Sequence, residues 1–225
     1  MKKFNRLKPL LKLMLKVRFP EVTNKISKNI GRIFSRLPLP PNFWTCLSLI
    51  LAVLGFYVLV VYKDMFLGFV VFFISGFLDA VDGAVARYRR SVSKLGGYLD
   101  GIIDRIVEAF LLTGLLLFDL PGFYLYSYWI PPYLIITLLL FFGTALTSYS
   151  KAYASQKEVI VSDKILKWMP GILERTERLF MIGAGMLLYY VNPLYTTYVL
   201  AIALILSLVT FLQRVFFVVR HGVRR

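Results

Sequence analysis

Long apolar segments separated by short polar ones make up most of the chain between residues 43 and 219. The apolar segments run over Phe43–Tyr62, Met65 to about Ala86, Asp100 to about Leu117, Pro132 to about Tyr153, Leu179–Val191 and Leu194–Val219. A hydrocarbon core about 30 Å thick is crossed by about 20 helical residues. The pattern therefore predicts an all-α integral membrane protein with six transmembrane helices, of which the fifth is short and begins a few residues earlier.

Residues 1–40 carry a different pattern, in which basic and apolar positions recur with a helical period. Lys8, Lys12 and Lys16 are spaced four apart and form one stripe on a helix. A second apolar stripe consists of Ile26, Ile30, Ile33, Phe34 and Leu37. Amphipathic helices of this kind lie in the membrane interface with the apolar face in the lipid. The chain thus divides into a basic amphipathic interfacial region, 1–40, and a six-helix transmembrane domain, 41–225.

Charge agrees with a membrane protein and indicates its orientation. Hydrophobic residues make up 58% of the chain and the net charge is +15, but the basic residues lie between apolar runs. This favours anionic lipid headgroups over nucleic acid as their partner. If all six segments cross, every Lys and Arg except Lys63 falls on one side, and positive charge marks the cytoplasmic side. We predict a multi-pass protein of the cell membrane with both termini cytoplasmic.

Four carboxylates in the segment Asp79–Arg105 are the candidate chemical site. Asp79 and Asp82 are three residues apart and Asp100 and Asp104 are four apart, so each pair shares one face of a helix. The basic turn 88–94 is expected to bring the second and third spans face to face as antiparallel neighbours, at the cytoplasmic boundary.

Carboxylates that converge beside lipid need a counter-charge, because like charges repel and burial is costly. Oxygen ligands favour Mg²⁺, for which Mn²⁺ is an alternative, and four carboxylates can hold two ions. Small residues lie around them: Gly83, Ala86, Gly96, Gly97 and Gly101. These leave room for a bulky ligand such as a nucleotide, and tight helix packing would use the same residues.

The acidic segment resembles the signature of a known family. The pattern Asp79-x2-Asp82-Gly83-x2-Ala86-Arg87-x8-Gly96-x3-Asp100-x3-Asp104 matches that of the CDP-alcohol phosphotransferases. Pro41-Asn42-x2-Thr45 is similar to the element that precedes it in the family. The resemblance implies a homodimeric membrane enzyme that transfers a substituted phosphate group from a CDP-activated donor to an alcohol and releases CMP. The domain 41–225 would then be the catalytic one.

The resemblance also implies roles for individual residues. Asp79, Asp82 and Asp100 would be the principal metal ligands, and Asp104 would complete the metal site and act as the general base. The residues expected to bind the CDP group are Asn42, Thr45, Asp79, Gly83, Ala86 and Arg87. Of these, Arg87 is assigned to the pyrophosphate on the grounds of its charge.

Basic residues at the cytoplasmic ends of the last three spans indicate the acceptor. Lys151, Arg175, Arg178 and Arg214 suit an acceptor that bears a phosphate, although ordinary positive-inside charge predicts the same residues. Segments 148–153, 174–179 and 209–214 resemble those of phosphatidylinositol-phosphate synthases, with Tyr153 in place of Arg and Thr176 in place of Pro. The resemblance implies that Lys151, Arg178 and Arg214, with Arg175 beside them, bind the phosphate of inositol 1-phosphate.

Several alternatives stay open on the sequence. Glycerol 3-phosphate could be the acceptor, as in a phosphatidylglycerophosphate synthase, or CDP-inositol the donor, as in a di-inositol phosphate phosphate synthase. A lipid donor could be CDP-diacylglycerol or CDP-archaeol. Outside the family, a prenyltransferase or an ion-coupled transporter could also use membrane carboxylates, but transporters hold their ions near mid-membrane.

Overall fold

The structure, a computed structural model, describes residues 20–37, 39–91, 93–160, 166 and 169–222, with only the backbone for 20–26, 41 and 42. The helices are α1 Pro20–Phe34, α2 Pro41–Tyr57, α3 Met65–Tyr88, α4 Lys94–Leu117, α5 Pro132–Gln156, α6 Arg175–Leu188 and α7 Pro193–His221. A π-helical turn, Val58–Tyr62, extends α2, and α5 is π-helical over Leu139–Leu146. The strands β1 Phe123–Leu125 and β2 Tyr128–Ile130 form a hairpin that the sequence pattern did not predict.

The helical architecture is confirmed, and the described residues include four candidate membrane spans. The segments Phe43–Tyr62, Met65–Tyr88, Pro132–Gln156 and Pro193–His221 are long and apolar enough to cross a membrane. The other two predicted spans correspond to α4, which carries five charged residues among its first fifteen, and α6, which has only 14 residues. Six spans therefore stay a prediction. The interfacial region 1–40 is described only in part, since residues 1–19 lie outside the described residues.

Local capping residues determine where the helices on either side of the acidic segment begin. The Asp64 side chain accepts a hydrogen bond from Leu67 N (2.9 Å) at the start of α3, and Ser93 Oγ accepts from Gly96 N (2.9 Å) at the start of α4. Side-chain acceptors at this position satisfy amide groups that the helix leaves unpaired. The Ser93 cap starts a new helix soon after α3 ends, which brings Asp100 and Asp104 near the end of α3.

Helix α2 packs against both α3 and α4, so α2 rather than α3 is the main neighbour of α4. This differs from the expectation that the second and third spans lie face to face as antiparallel neighbours. Leu59, in the π-helical turn after α2, is fully buried and lies against Gly68 of α3 and Gly114 of α4. The two glycines allow this close approach. The helices carrying the carboxylates are thus joined through α2 and meet at the end where the acidic residues lie.

We predict that Gly68→Ala destabilises the protein whereas Gly76→Ala, in the same helix, does not. A Cβ atom on Gly68 would lie 2.8 Å from Leu59 Cγ, but one on Gly76 would have no neighbour within 4 Å. Alanine gains about 1 kcal/mol over glycine within a helix, and overpacking a buried side chain costs about 1–3 kcal/mol. Thermal unfolding in detergent should therefore give a lower midpoint for Gly68→Ala than for Gly76→Ala. Equal midpoints would contradict the packing described for Leu59.

Candidate active site

Three of the four predicted carboxylates meet where α3 ends and α4 begins. Asp79, Asp100 and Asp104 each place one carboxylate oxygen within 4.8 Å of the others, and all three are half-buried. We call these three residues the acidic cluster. Asp82 lies outside this group. It is buried, and its Oδ2 accepts a hydrogen bond from the Thr45 hydroxyl of α2.

The acidic cluster has the donor set that a hard divalent cation requires. Its ligands are carboxylate oxygens, which Mg²⁺ and similar ions prefer. Asp79 Oδ1 is buried and has no hydrogen-bond partner among the described residues. A buried acceptor without a partner is costly, and a bound cation would remove that cost. The residues therefore fit a divalent metal site.

The residues predicted to bind the CDP group line the end of α3 and the start of α2. Gly83 lies under the Arg87 guanidinium, since a Cβ atom on Gly83 would be 3.2 Å from Arg87 Nη1. Arg87 Nη2 donates to Ser27 Oγ of α1 (3.0 Å), and Ala86 is half-buried next to it in the sequence. Thr45 is buried, and the Asn42 side chain lies outside the described part. The structure thus ties Arg87 to α1, a contact that the sequence pattern did not indicate.

Arginines from two helices contact the acidic cluster. Arg175 Nη1, at the first residue of α6, pairs with Asp104 Oδ1 and lies 3.8 Å from Asp79 Oδ2. Arg105 Nη1 lies 3.2 Å from the other Asp104 oxygen, Oδ2. Both oxygens of Asp104 therefore face a guanidinium group. Arg175 was expected to bind only the acceptor phosphate, and the structure places it against the carboxylates as well.

Glu108 is one of two site residues that the sequence reasoning missed, the other being Arg105. Glu108 lies one helical turn after Asp104 on α4, is only 1% exposed, and accepts a 2.6 Å hydrogen bond from Arg178 Nε of α6. Arg175 Nε lies 4.0 Å from its other oxygen. A buried charge pair is stable only when its geometry compensates for the lost hydration of both groups. Removing either partner would leave the other as an uncompensated buried charge. The four-residue spacing of Asp100, Asp104 and Glu108 was the available signal, since it places all three on one helix face.

A basic cavity adjoins the acidic cluster and contains all four residues predicted to bind the acceptor phosphate. Its volume is about 460 Å³, and its basic lining residues are Arg105, Lys151, Arg175, Arg178 and Arg214. Arg105 was not predicted; its Nε and Nη2 donate to Ser148 Oγ of α5 (3.2 and 3.1 Å). Arg214 Nη1 of α7 donates to the Thr147 carbonyl (2.5 Å). Backbone and hydroxyl acceptors thus orient these side chains towards one space.

Comparisons with known proteins agree with this geometry. Archaetidylinositol phosphate synthase of Pyrococcus horikoshii is 32% identical over 204 residues, covering 91% of this chain and 95% of that protein. A crystal structure of Mycobacterium tuberculosis phosphatidylinositol phosphate synthase with CDP-DAG bound matches with a TM-score of 0.70 and 26% identity, covering 86% of this chain and 94% of that chain.

A second structure of the mycobacterial synthase, in complex with manganese and citrate, has the same fold, with a TM-score of 0.71 and 24% identity over 88% of this chain and 92% of that chain. The family model of the CDP-alcohol phosphatidyltransferases matches residues 39–212, which include the acidic cluster and most of the lining of the basic cavity. The chain therefore belongs to the CDP-alcohol phosphatidyltransferase family.

Proposed function

We propose that this chain transfers a phosphatidyl-type group from a CDP-lipid to inositol 1-phosphate and releases CMP. The observation that supports this most directly is the adjacency of the acidic cluster and the basic cavity, with Arg175 in contact with both. The names of the archaeal and mycobacterial synthases favour an inositol phosphate acceptor, and the CDP-DAG complex favours a CDP-lipid donor.

In this proposal the donor binds at the ends of α2 and α3. Asp79, Asp82, Asp100 and Asp104 would hold two Mg²⁺ ions, which Mn²⁺ could replace, and such ions would supply positive charge against the diphosphate and the departing CMP. Arg87 binds the pyrophosphate as a second source of positive charge. The nucleotide is bordered by Asn42, Thr45, Gly83 and Ala86. Thr45 also fixes the orientation of Asp82 through its hydroxyl.

The acceptor binds in the basic cavity, where Lys151, Arg175, Arg178 and Arg214 hold its phosphate. This places a hydroxyl group near Asp104, which accepts the hydroxyl proton as the general base. The hydroxyl oxygen attacks the phosphorus nearer the lipid, the bond from that phosphorus to the bridging oxygen breaks, and CMP leaves with that oxygen. Holding both reactants at adjacent subsites removes much of the entropic barrier to their meeting.

The membrane arrangement is part of the same proposal. Helices α4 and α6 complete a six-span domain, with the charged half of α4 at the cytoplasmic boundary beside the active site. The distribution of Lys and Arg supports cytoplasmic positions for both termini and for the active site. The apolar surfaces left exposed face lipid and a second copy of the chain in a homodimer.

The acceptor and donor are tested together with purified protein, Mg²⁺ and a panel of substrates. Labelled CDP-diacylglycerol and CDP-archaeol are each combined with inositol 1-phosphate, glycerol 3-phosphate or unphosphorylated inositol, and CMP release is followed. We expect inositol 1-phosphate to support the highest rate with at least one lipid donor. A higher rate with glycerol 3-phosphate would contradict the proposed acceptor, and no acceptor-dependent CMP release would contradict the activity.

We predict that Asp100→Asn and Asp104→Asn each abolish CMP release. Each removes a charged metal ligand, and Asp104→Asn also removes the proposed base, a group worth roughly 10²–10⁴ in rate. Asp119→Asn is the matched control, because Asp119 pairs with Lys63 (3.1 Å), away from the acidic cluster, and is almost fully exposed. It should keep wild-type activity. Full activity in either Asp100→Asn or Asp104→Asn would remove the mechanism.

We also predict that Arg214→Ala raises the KM for the acceptor more than the KM for the donor. The loss of one charge-assisted hydrogen bond costs about 1.5–3 kcal/mol, which corresponds to roughly a 10- to 100-fold increase in acceptor KM. Arg220→Ala, further along α7 and outside the cavity lining, is the control and should leave both constants near wild type. An unchanged acceptor KM in Arg214→Ala would count against the phosphate cavity.

A further inference from the structure

Arg175 lies between the acidic cluster and the basic cavity and contacts both. We propose that Arg175 is a positioning residue that exchanges between Asp104 and the phosphate of the acceptor. A divalent cation at the acidic cluster and a phosphorylated acceptor in the basic cavity would then each increase the affinity for the other. The inference rests on the proposed function, since it requires a cation site and a phosphate site in these two places.

Arg175 serves as the counter-charge of the acidic cluster when no cation is bound. Its Nη1 pairs with Asp104 Oδ1 and lies 3.8 Å from Asp79 Oδ2. A divalent cation held by these carboxylates would need the same oxygens and would carry charge of the same sign as the guanidinium. The cation and Arg175 therefore compete for the acidic cluster, and binding of the cation releases the side chain.

Among the described basic residues next to the acidic cluster, Arg175 is the one able to move. Arg178 is 2% exposed and fixed by the 2.6 Å hydrogen bond to Glu108. Arg105 is held by two hydrogen bonds to Ser148 and one to the Gly101 carbonyl (3.1 Å). Arg175 makes no such hydrogen bond to a hydroxyl or carbonyl group in the described part of the chain, and its Nε is buried without a hydrogen-bond partner there. Its closest interactions are with Asp104 and Asp79, whose oxygens a cation would take over, while Glu108 lies further away, at 4.0 Å.

Once released, Arg175 has a second partner in the basic cavity, the phosphate of the acceptor. It lines the cavity together with Lys151, Arg178 and Arg214, and a guanidinium binds phosphate through paired hydrogen bonds. Because coupling between two ligands is reciprocal, the factor by which the cation strengthens phosphate binding equals the factor by which phosphate strengthens cation binding. Direct attraction between the cation and the phosphate would also couple them, but it would not depend on Arg175.

The experiment measures Mn²⁺ affinity by electron paramagnetic resonance, with the full chain in detergent and without any CDP-lipid. Saturating inositol 1-phosphate should tighten Mn²⁺ binding to the wild type by roughly tenfold. In Arg175→Gln, Mn²⁺ should bind more tightly than to the wild type when phosphate is absent, because its competitor has been removed. Addition of inositol 1-phosphate to this variant should then change Mn²⁺ affinity by about twofold or less, which is the share of the coupling left to direct attraction between cation and phosphate.

Two further variants make the result specific to Arg175. Lys151→Gln also removes a basic residue of the cavity, so it should weaken inositol 1-phosphate binding but keep the wild-type coupling factor. Arg175→Lys keeps the charge that balances the carboxylates but loses the paired hydrogen bonds, and it should give a coupling factor between those of the wild type and Arg175→Gln. It also serves as the test variant if Arg175→Gln does not fold.

Results that would contradict the exchange of Arg175 differ from those that would contradict the proposed function. A wild-type coupling factor in Arg175→Gln or in Arg175→Lys would overturn the exchange, as would Mn²⁺ binding to Arg175→Gln that is no tighter than to the wild type. A wild type that binds both ligands with no mutual effect would also remove this inference, while leaving the proposed function intact. A wild type that binds neither Mn²⁺ nor inositol 1-phosphate would remove both.

Discussion

The convergence of carboxylates in one half-buried cluster is the constraint on which the rest of the structure depends. Asp79, Asp100 and Asp104 place oxygens within 4.8 Å of one another, and like charges this close repel strongly where water is scarce. The arrangement is stable only with positive charge beside it. The structure supplies that charge from α6 through Arg175 and from α4 through Arg105, so the fold must bring the start of α6 to the end of α3.

The same constraint explains why the acidic cluster and the basic cavity share residues. A guanidinium that balances a carboxylate has nitrogen atoms left to face another ligand, and both Arg105 and Arg175 line the cavity while contacting Asp104. Carboxylates and guanidinium groups therefore alternate across the site. Glu108 continues this alternation one helical turn after Asp104, where it accepts a hydrogen bond from Arg178. Phosphate transfer between two charged substrates needs this alternation, since each substrate phosphate must meet positive charge while the attacking hydroxyl meets a carboxylate.

The acidic cluster could be predicted from the sequence, because spacings of three and four residues place side chains on one helix face whatever the helix packs against. The pair of Glu108 and Arg178 could not, since it joins residues 70 positions apart and neither local segment identifies the other as its partner. The placement of α2 against both α3 and α4 was missed for a related reason. Hydropathy indicates how long a helix is but not which neighbours it has, and that choice depends on shape, such as the room that Gly68 and Gly114 leave for Leu59.

In the proposed six-span arrangement, catalysis and membrane insertion make opposite demands on helix α4. The site needs Asp100, Asp104, Arg105 and Glu108 on this helix, and those charges make it too polar to qualify as a span by composition. Burial against other helices resolves the conflict, because α2 packs along α4 and the charged side chains of α6 pair with its carboxylates. A charged helix of this kind needs neighbouring helices to cover it and to pair its carboxylates, which an apolar span does not. The helix that carries most of the acidic residues of the site is therefore also one that hydropathy alone does not identify as a membrane span.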